Sequence, residues 1–383
     1  MICQRDGGRL WGVSLCGPIV IADARTGTIA TSQPPPAAER PRGLGFANAP
    51  FEWGGSRWVA LVWDFTASLP DASTRGELML HELFHRIQPQ LGLITPGGAI
   101  QNAHLDTFEG RIWLRLEWRA LVRALGDSGE ARTRAVRDAL AFRATRRSQF
   151  REAAENERRE EIREGIAHYT GIVATATSRS EAVARTIAHV KGAEGHETFL
   201  QQSYTTGTAY GVLLDDASAD WRRRVRSDSD LGQMLMAALN VTPAPDAAEA
   251  SARYGGAEIR AAEETRVEQR RVVVRELQSR FVDGPILLVP SGGGATFNAV
   301  GATPIPGAGT VYVLPYNAKG QWGTLDAPKG VLIGDDGTRR VPGPVRIDGA
   351  TLSGDGWAVT VASGWTVRPG PRSGDYQIVR EPQ

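Results

Sequence analysis

The chain has 383 residues with 44 basic and 43 acidic side chains, a net charge of +1, and an apolar fraction of 41%. So even a balance excludes the overall positive field that draws a protein to nucleic acid or an anionic membrane, and the apolar fraction excludes general disorder. Two cysteines, Cys3 and Cys16, exclude a Cys-rich zinc module, and no apolar run approaches the roughly 18–20 residues of a membrane span.

The opening MICQRDGGRLWGVSLCGPIVIAD reads as a strand already inside a domain. That fits a longer natural N-terminus with a removed leader, since the first 20 residues themselves lack a charged segment followed by an apolar core. Cys3 and Cys16 are compatible with pairing across an N-terminal hairpin in an exported protein, and equally with two unconnected thiols. The β-rich runs LWGVSLCGPIVIAD and TGTIATS, the Pro-rich loop SQPPPAAERPRGLG and the strand candidate GSRWVALVWDF make 1–70 a small sheet.

Over 71–282 apolar residues recur at helical spacing with few prolines, which predicts a body of six to nine helices. Thr74 with Glu77 and Ser178 with Glu181 fit the capping box, in which each side chain bonds the other residue's free backbone N–H. The basic WRRRVR (221–226), next to the acidic LLDDASAD (213–220), reads as a solvated helix face or turn.

Composition shifts at 283 to Gly, Pro, Val and Thr with short apolar runs and turn signals, predicting an all-β domain over 283–383. The fold class expected is α+β: an N-terminal sheet plus helical body, then the β domain. PSGGGATFN (290–298) lacks the Gly-Lys-Ser/Thr ending of a phosphate loop, and Trp322, Trp357 and Trp365 read as core packing.

The chemistry concentrates in LMLHELFHRIQ (78–88). Thr74 as cap and Pro89 as stop predict a helix over 75–88, which sets His81 and His85 one turn apart on one face. Two imidazoles so placed converge on one ion, and Glu82 lies beside them, free to take a proton from metal-bound water. Leu78, Leu80, Leu83, Phe84 and Ile87 supply a dry wall.

A catalytic zinc needs a third protein ligand and an open position. Gln88 and Leu91 stand where the extended motif H-E-x-x-H-x-x-G-x-x-H has Gly and His, so the ligand comes from elsewhere. His104, Glu109, Glu117 and Glu164 compete. Glu164 is favoured because Gly165 follows it: a glycine inside a helix costs about 1 kcal/mol against alanine, so its presence suggests close approach of another element there.

HELFH followed by EGIAHY resembles the gluzincin metallopeptidases, in which an E-G-x-A-x-Y helix supplies a glutamate ligand. The resemblance covers the two motif segments, about a tenth of the chain. It implies that His81, His85 and Glu164 bind Zn2+, that Glu82 is the general base, and that the core is zincin-like, with a sheet beside a cleft for a peptide or protein substrate. WVALVWDF is the expected edge strand of that sheet. Two departures withhold specificity: 78 residues separate His85 from Glu164, more than in thermolysin-like relatives, and the aminopeptidase GAMEN-type motif is missing.

His168 is a further expected catalytic residue, either positioning a ligand or donating to the developing oxyanion, with Tyr169, Tyr204 and Tyr210 as alternative donors. The expected activity is a zinc metallopeptidase. Its rivals are a zinc hydrolase of a non-peptide amide or ester, and an inactive binding protein on the same scaffold.

Overall fold

A computed structural model of the chain, describing residues 2–382 except 24, 37–38, 43, 46, 96, 98–99, 101, 298–300 and 344, divides into two units, Met1–Glu263 and Glu264–Gln383. The Pro-rich loop (32–45) and the glycine-rich run ending at Asn298 therefore lie partly outside the described residues.

The chain begins as a short helix, α1 (Ile2–Asp6), where a strand was expected. Asp6 is the reason: its carboxylate accepts the N–H groups of Gly8 (3.0 Å) and Leu10 (2.9 Å), and Gly7 and Gly8 turn the chain at positive φ. Cys3 of this helix forms a disulfide with Cys16, which settles their pairing.

Four strands follow: β1 (Ile19–Ala22), β2 (Ile29–Thr31), β3 (Ala49–Trp53) and β4 (Ser56–Val62), in the order β2-β1-β4-β3. The expected edge strand is wrong. β4 lies between β1 and β3, paired with both, and its consecutive buried residues Trp58, Val59, Ala60 and Leu61 show that both its faces are covered. The edges are β2 and β3, the latter carrying Pro50, and the WDF that ends the apolar run starts helix α2 (Trp63–Ser68).

The helical body comprises α3 (Ala72–Ile87), α4 (Phe108–Gly126), α5 (Gly129–Ser148), α6 (Ala153–Glu160), α7 (Ile166–Thr175), α8 (Arg179–Ala193), α9 (Gln202–Ala217), α10 (Trp221–Arg224), α11 (Leu231–Leu239), α12 (Ala247–Ser251) and α13 (Gly256–Gln278). Among the described residues nine of these have eight residues or more, the upper end of the expectation; α10 and α12 are short additions. The division between units falls inside α13, ahead of the composition change at 283.

Two caps differ from expectation. α3 starts three residues early because Asp71, not Thr74, is the cap: its carboxylate accepts the Thr74 N–H at 2.8 Å, while Glu77 pairs with Arg185. Ser178 does cap α8, but Glu181 reaches back to the N–H of Thr177 (2.8 Å) rather than of Ser178. In the basic run Trp221 is buried and Arg222 pairs with Asp215, while Arg223, Arg224 and Arg226 are solvated.

Among the described residues thirteen strands of the second unit, from Ile286–Val289 to Tyr376–Arg380, form sheets of seven and six. Their common core includes Leu287, Val341, Leu325 and Val359, with Trp322 and Trp357 buried in it. The fold is α+β, with a helical body and a C-terminal all-β region.

Candidate metal centre

Helix α3 buries Leu80, Leu83, Phe84 and Ile87 against the core and, on the adjoining face, His81 and Glu82. It can lie close to α7 because Gly171 has no side chain: a Cβ there would stand 2.6 Å from the Glu77 carbonyl oxygen. Gln88, the expected last residue of the helix, keeps φ −51° and ψ −40° despite the following Pro89, and its N–H bonds the Phe84 carbonyl at 2.9 Å. The bias against helix before proline is overcome here by the bonds of the Gln88 side chain.

That side chain was not foreseen. Gln88 Oε1 lies 2.8 Å from His85 Nδ1, and its Nε2 donates to the carbonyls of Ile162 (3.0 Å) and Arg163 (3.2 Å). A hydrogen on His85 Nδ1 leaves the Nε2 lone pair free for a metal. The spacing His85 to Gln88, three residues on a helix, was the available signal.

Glu164 sits in a π turn, Glu161–Gly165, between α6 and α7. Such turns interrupt helices mostly at functional positions, because the extra residue re-aims a side chain. The close approach expected at Gly165 is present: a Cβ there would stand 2.5 Å from Ser203 O and 2.8 Å from Gly207 Cα, on α9. Beneath the turn Glu161 is fully buried and held by Arg143 (2.5 and 2.7 Å) and by the Thr206 hydroxyl (2.8 Å).

Arg143 belongs to a buried network. With Arg146 and Arg147 of α5 it meets Glu117 of α4, Glu157 of α6, Glu161 and Asp230. Burial alone would raise the Glu157 carboxyl, but Arg146 and its neighbours outweigh burial and hold it well below the usual range.

His81 Nε2 and His85 Nε2 each lie 3.3 Å from Glu164 Oε2 and 3.0 Å from one another. Three ligand atoms set tetrahedrally at about 2.05 Å from one ion stand about 3.3 Å apart, so the triangle fits one small cation. Among the described residues this is the group of His and carboxylate atoms that converges closely enough to hold a metal. The competing ligands are occupied elsewhere. His104 pairs with Glu157 (2.8 Å), Glu117 with Arg146 (2.5 Å), and Glu109 accepts from Trp113 and Arg260 (3.1 Å each).

Glu164 is held from both sides, Oε1 by Arg163 Nη1 at 3.0 Å and Oε2 by the Tyr204 hydroxyl at 2.8 Å. Burial would raise its carboxyl; the hydrogen bonds and charges of the two imidazoles outweigh this, and the group stays ionised. Tyr204 stacks on His81, ring centroids 5.5 Å apart and planes 7° from parallel. Glu82 is different: burial pushes its carboxyl up to about 7, and its Oε2 is buried without a hydrogen-bond partner.

These groups line a cavity of ≈ 360 Å³ that also reaches Asn48, Ala49 and Pro50 at the start of β3, Arg57 of β4, and Leu93–Thr95. The chain is similar to no family model, no curated protein and no solved structure. No helix among the described residues is long and apolar enough to cross a membrane.

The other expected donors divide. Tyr169 donates to Asp215 (2.7 Å) and Tyr210 to Glu117 (2.8 Å), both buried away from the cavity. His168 is not among the cavity-lining residues: its ring lies 6.3 Å from that of His81 and 4.5 Å from that of His189, and burial holds it well below the ordinary imidazole range. Of the three tyrosines, Tyr204 reaches the cavity.

Proposed function

We propose that this chain is a zinc-dependent metallohydrolase that cleaves peptide bonds, with the gluzincin-like ligand set His81, His85 and Glu164. One observation carries the reading: three donor atoms converge on one point beside Glu82, whose Oε2 is buried without a partner and whose carboxyl burial pushes up to about 7. When bound, the cation polarises a carbonyl and makes water acidic enough to attack at neutral pH.

The chain's own residues do the rest. Gln88 fixes the tautomer of His85, and Arg163 with Tyr204 holds the Glu164 carboxylate in place. Glu82, which lines the cavity, takes a proton from the attacking water, then delivers it to the leaving amine nitrogen; a pKa near 7 suits both transfers. His168 backs His81 from outside the cavity, so Tyr204 is the better placed of the two toward the developing oxyanion, to which its hydroxyl donates only on turning its one proton away from Glu164 Oε2.

A peptide substrate is favoured over a small amide or ester by β3. It is an edge strand, paired on one side only among the described residues, and its first two residues line the cavity, so an extended peptide can lie along it, with Pro50 offering its carbonyl but no N–H. The test is hydrolysis of a random peptide mixture by protein loaded with one equivalent of zinc, in wild type and Glu82→Gln. Cleavage lost in the variant with zinc still bound supports the reading. Hydrolysis confined to small esters or amides would overturn the peptidase assignment, and no stoichiometric metal binding would overturn the whole of it.

A further inference from the structure

Two guanidinium groups line the cavity, and they are not equivalent. Arg163 is committed: Nε and Nη2 bond Glu160 (3.1 and 2.7 Å) and Nη1 meets Glu164 (3.0 Å). Arg57 pairs across the β3–β4 hairpin with Glu52 at 3.2 Å, and Glu52 is 64% exposed, where an ion pair contributes little. The Arg57 side chain is 39% exposed beside the cavity, so its guanidinium can exchange Glu52 for another acceptor, and a carboxylate, with two oxygens spaced for the guanidinium edge, suits it best.

The charges in the cavity agree. The lining holds two acidic groups, Glu82 and Glu164, and two guanidinium groups, Arg57 and Arg163, so a divalent cation held by His81, His85 and Glu164 leaves a positive excess. Such a site draws anionic over neutral substrates.

We propose that Arg57 is a specificity-determining residue that binds a carboxylate of the peptide substrate near the scissile bond. This rests on the peptidase reading above. The carboxylate belongs either to the chain terminus or to an acidic side chain, and Glu52 is its internal competitor for Arg57.

The experiment offers zinc-loaded protein one random peptide mixture in four forms: C-terminus free or amidated, each with or without Asp and Glu. Carboxylate-bearing forms should be cleaved at least tenfold faster than the neutral amidated form, equivalent to about 1.4 kcal/mol. That ratio should fall to within twofold in Arg57→Gln and rise in Glu52→Gln, with circular dichroism checking that both fold. Dependence on the free terminus or on acidic residues identifies the source. Equal cleavage of all four forms, or a preference that survives Arg57→Gln, would overturn the proposal. If wild type cleaves no peptide, the peptidase reading has failed and binding decides this one. Calorimetry with the free-acid acidic peptides should then show binding that Arg57→Gln weakens at least tenfold, and its absence overturns the anion site.

Discussion

His85 Nδ1 and Gln88 Oε1 are 2.8 Å apart, and the same Gln88 amide donates to the backbone next to Glu164, so one side chain ties together the two segments that carry the proposed ligands. Replacing Gln88 by Leu should therefore loosen the metal about 10- to 100-fold, the usual effect of losing a ligand's supporting hydrogen bond. Gln88→Glu, which keeps an acceptor for Nδ1, should lose less. Competition with a zinc chelator measures both; equal affinity of wild type and Gln88→Leu would count against the link.

Glu82→Gln should bind zinc as wild type does, because Glu82 is not among the converging ligands, yet lower kcat by about 10²- to 10⁴-fold through loss of proton transfer. Metal content after dialysis and initial rates on the same sample decide it. A variant that loses both together would make Glu82 a ligand.

Gly165→Ala introduces a Cβ 2.5 Å from Ser203 O and 2.8 Å from Gly207 Cα. Both obstacles are backbone, so α7 and α9 must separate. We expect a loss of about 1–3 kcal/mol in urea unfolding together with weaker zinc binding, since the shift is passed to the neighbouring Glu164. Unchanged stability would show that the helices can part freely.

Burial holds His189 at about 4, whereas an unfolded imidazole titrates near 6.5. Between those values the unfolded chain takes up a proton that the folded chain refuses, so His189 withdraws stability as the pH falls through that window and contributes no slope above it. The stability of wild type minus His189→Gln should decrease between pH 6.5 and 4.5 and be flat from 7 to 8. Urea titrations across that range test the sign.

Helical periodicity made His81, Glu82 and His85 legible, because their relation is set within one element. Glu164 was legible for another reason: a glycine beside it marked a helix crossing, and Gly165 against Gly207 is that crossing. What escaped depends on partners distant in the chain. Gln88 acquires a role only when Ile162, 74 positions away, comes alongside. β4 reads as an edge or a centre according to whether β1 pairs with it, and the π turn has no composition of its own. Asp71 and Thr74 are both cap-forming residues three apart, and only geometry chooses between them.

The arginines of α5 carry a consequence for how the body assembles. Sliding α5 by one turn would carry Arg143, Arg146 and Arg147 away from Glu117, Glu157, Glu161 and Asp230, leaving buried charges uncompensated at several kcal/mol each. An apolar seam would tolerate such a slip far better. The network thus acts as an index mark: it admits one alignment of these helices, and with it one position for the turn on which Glu164 is mounted.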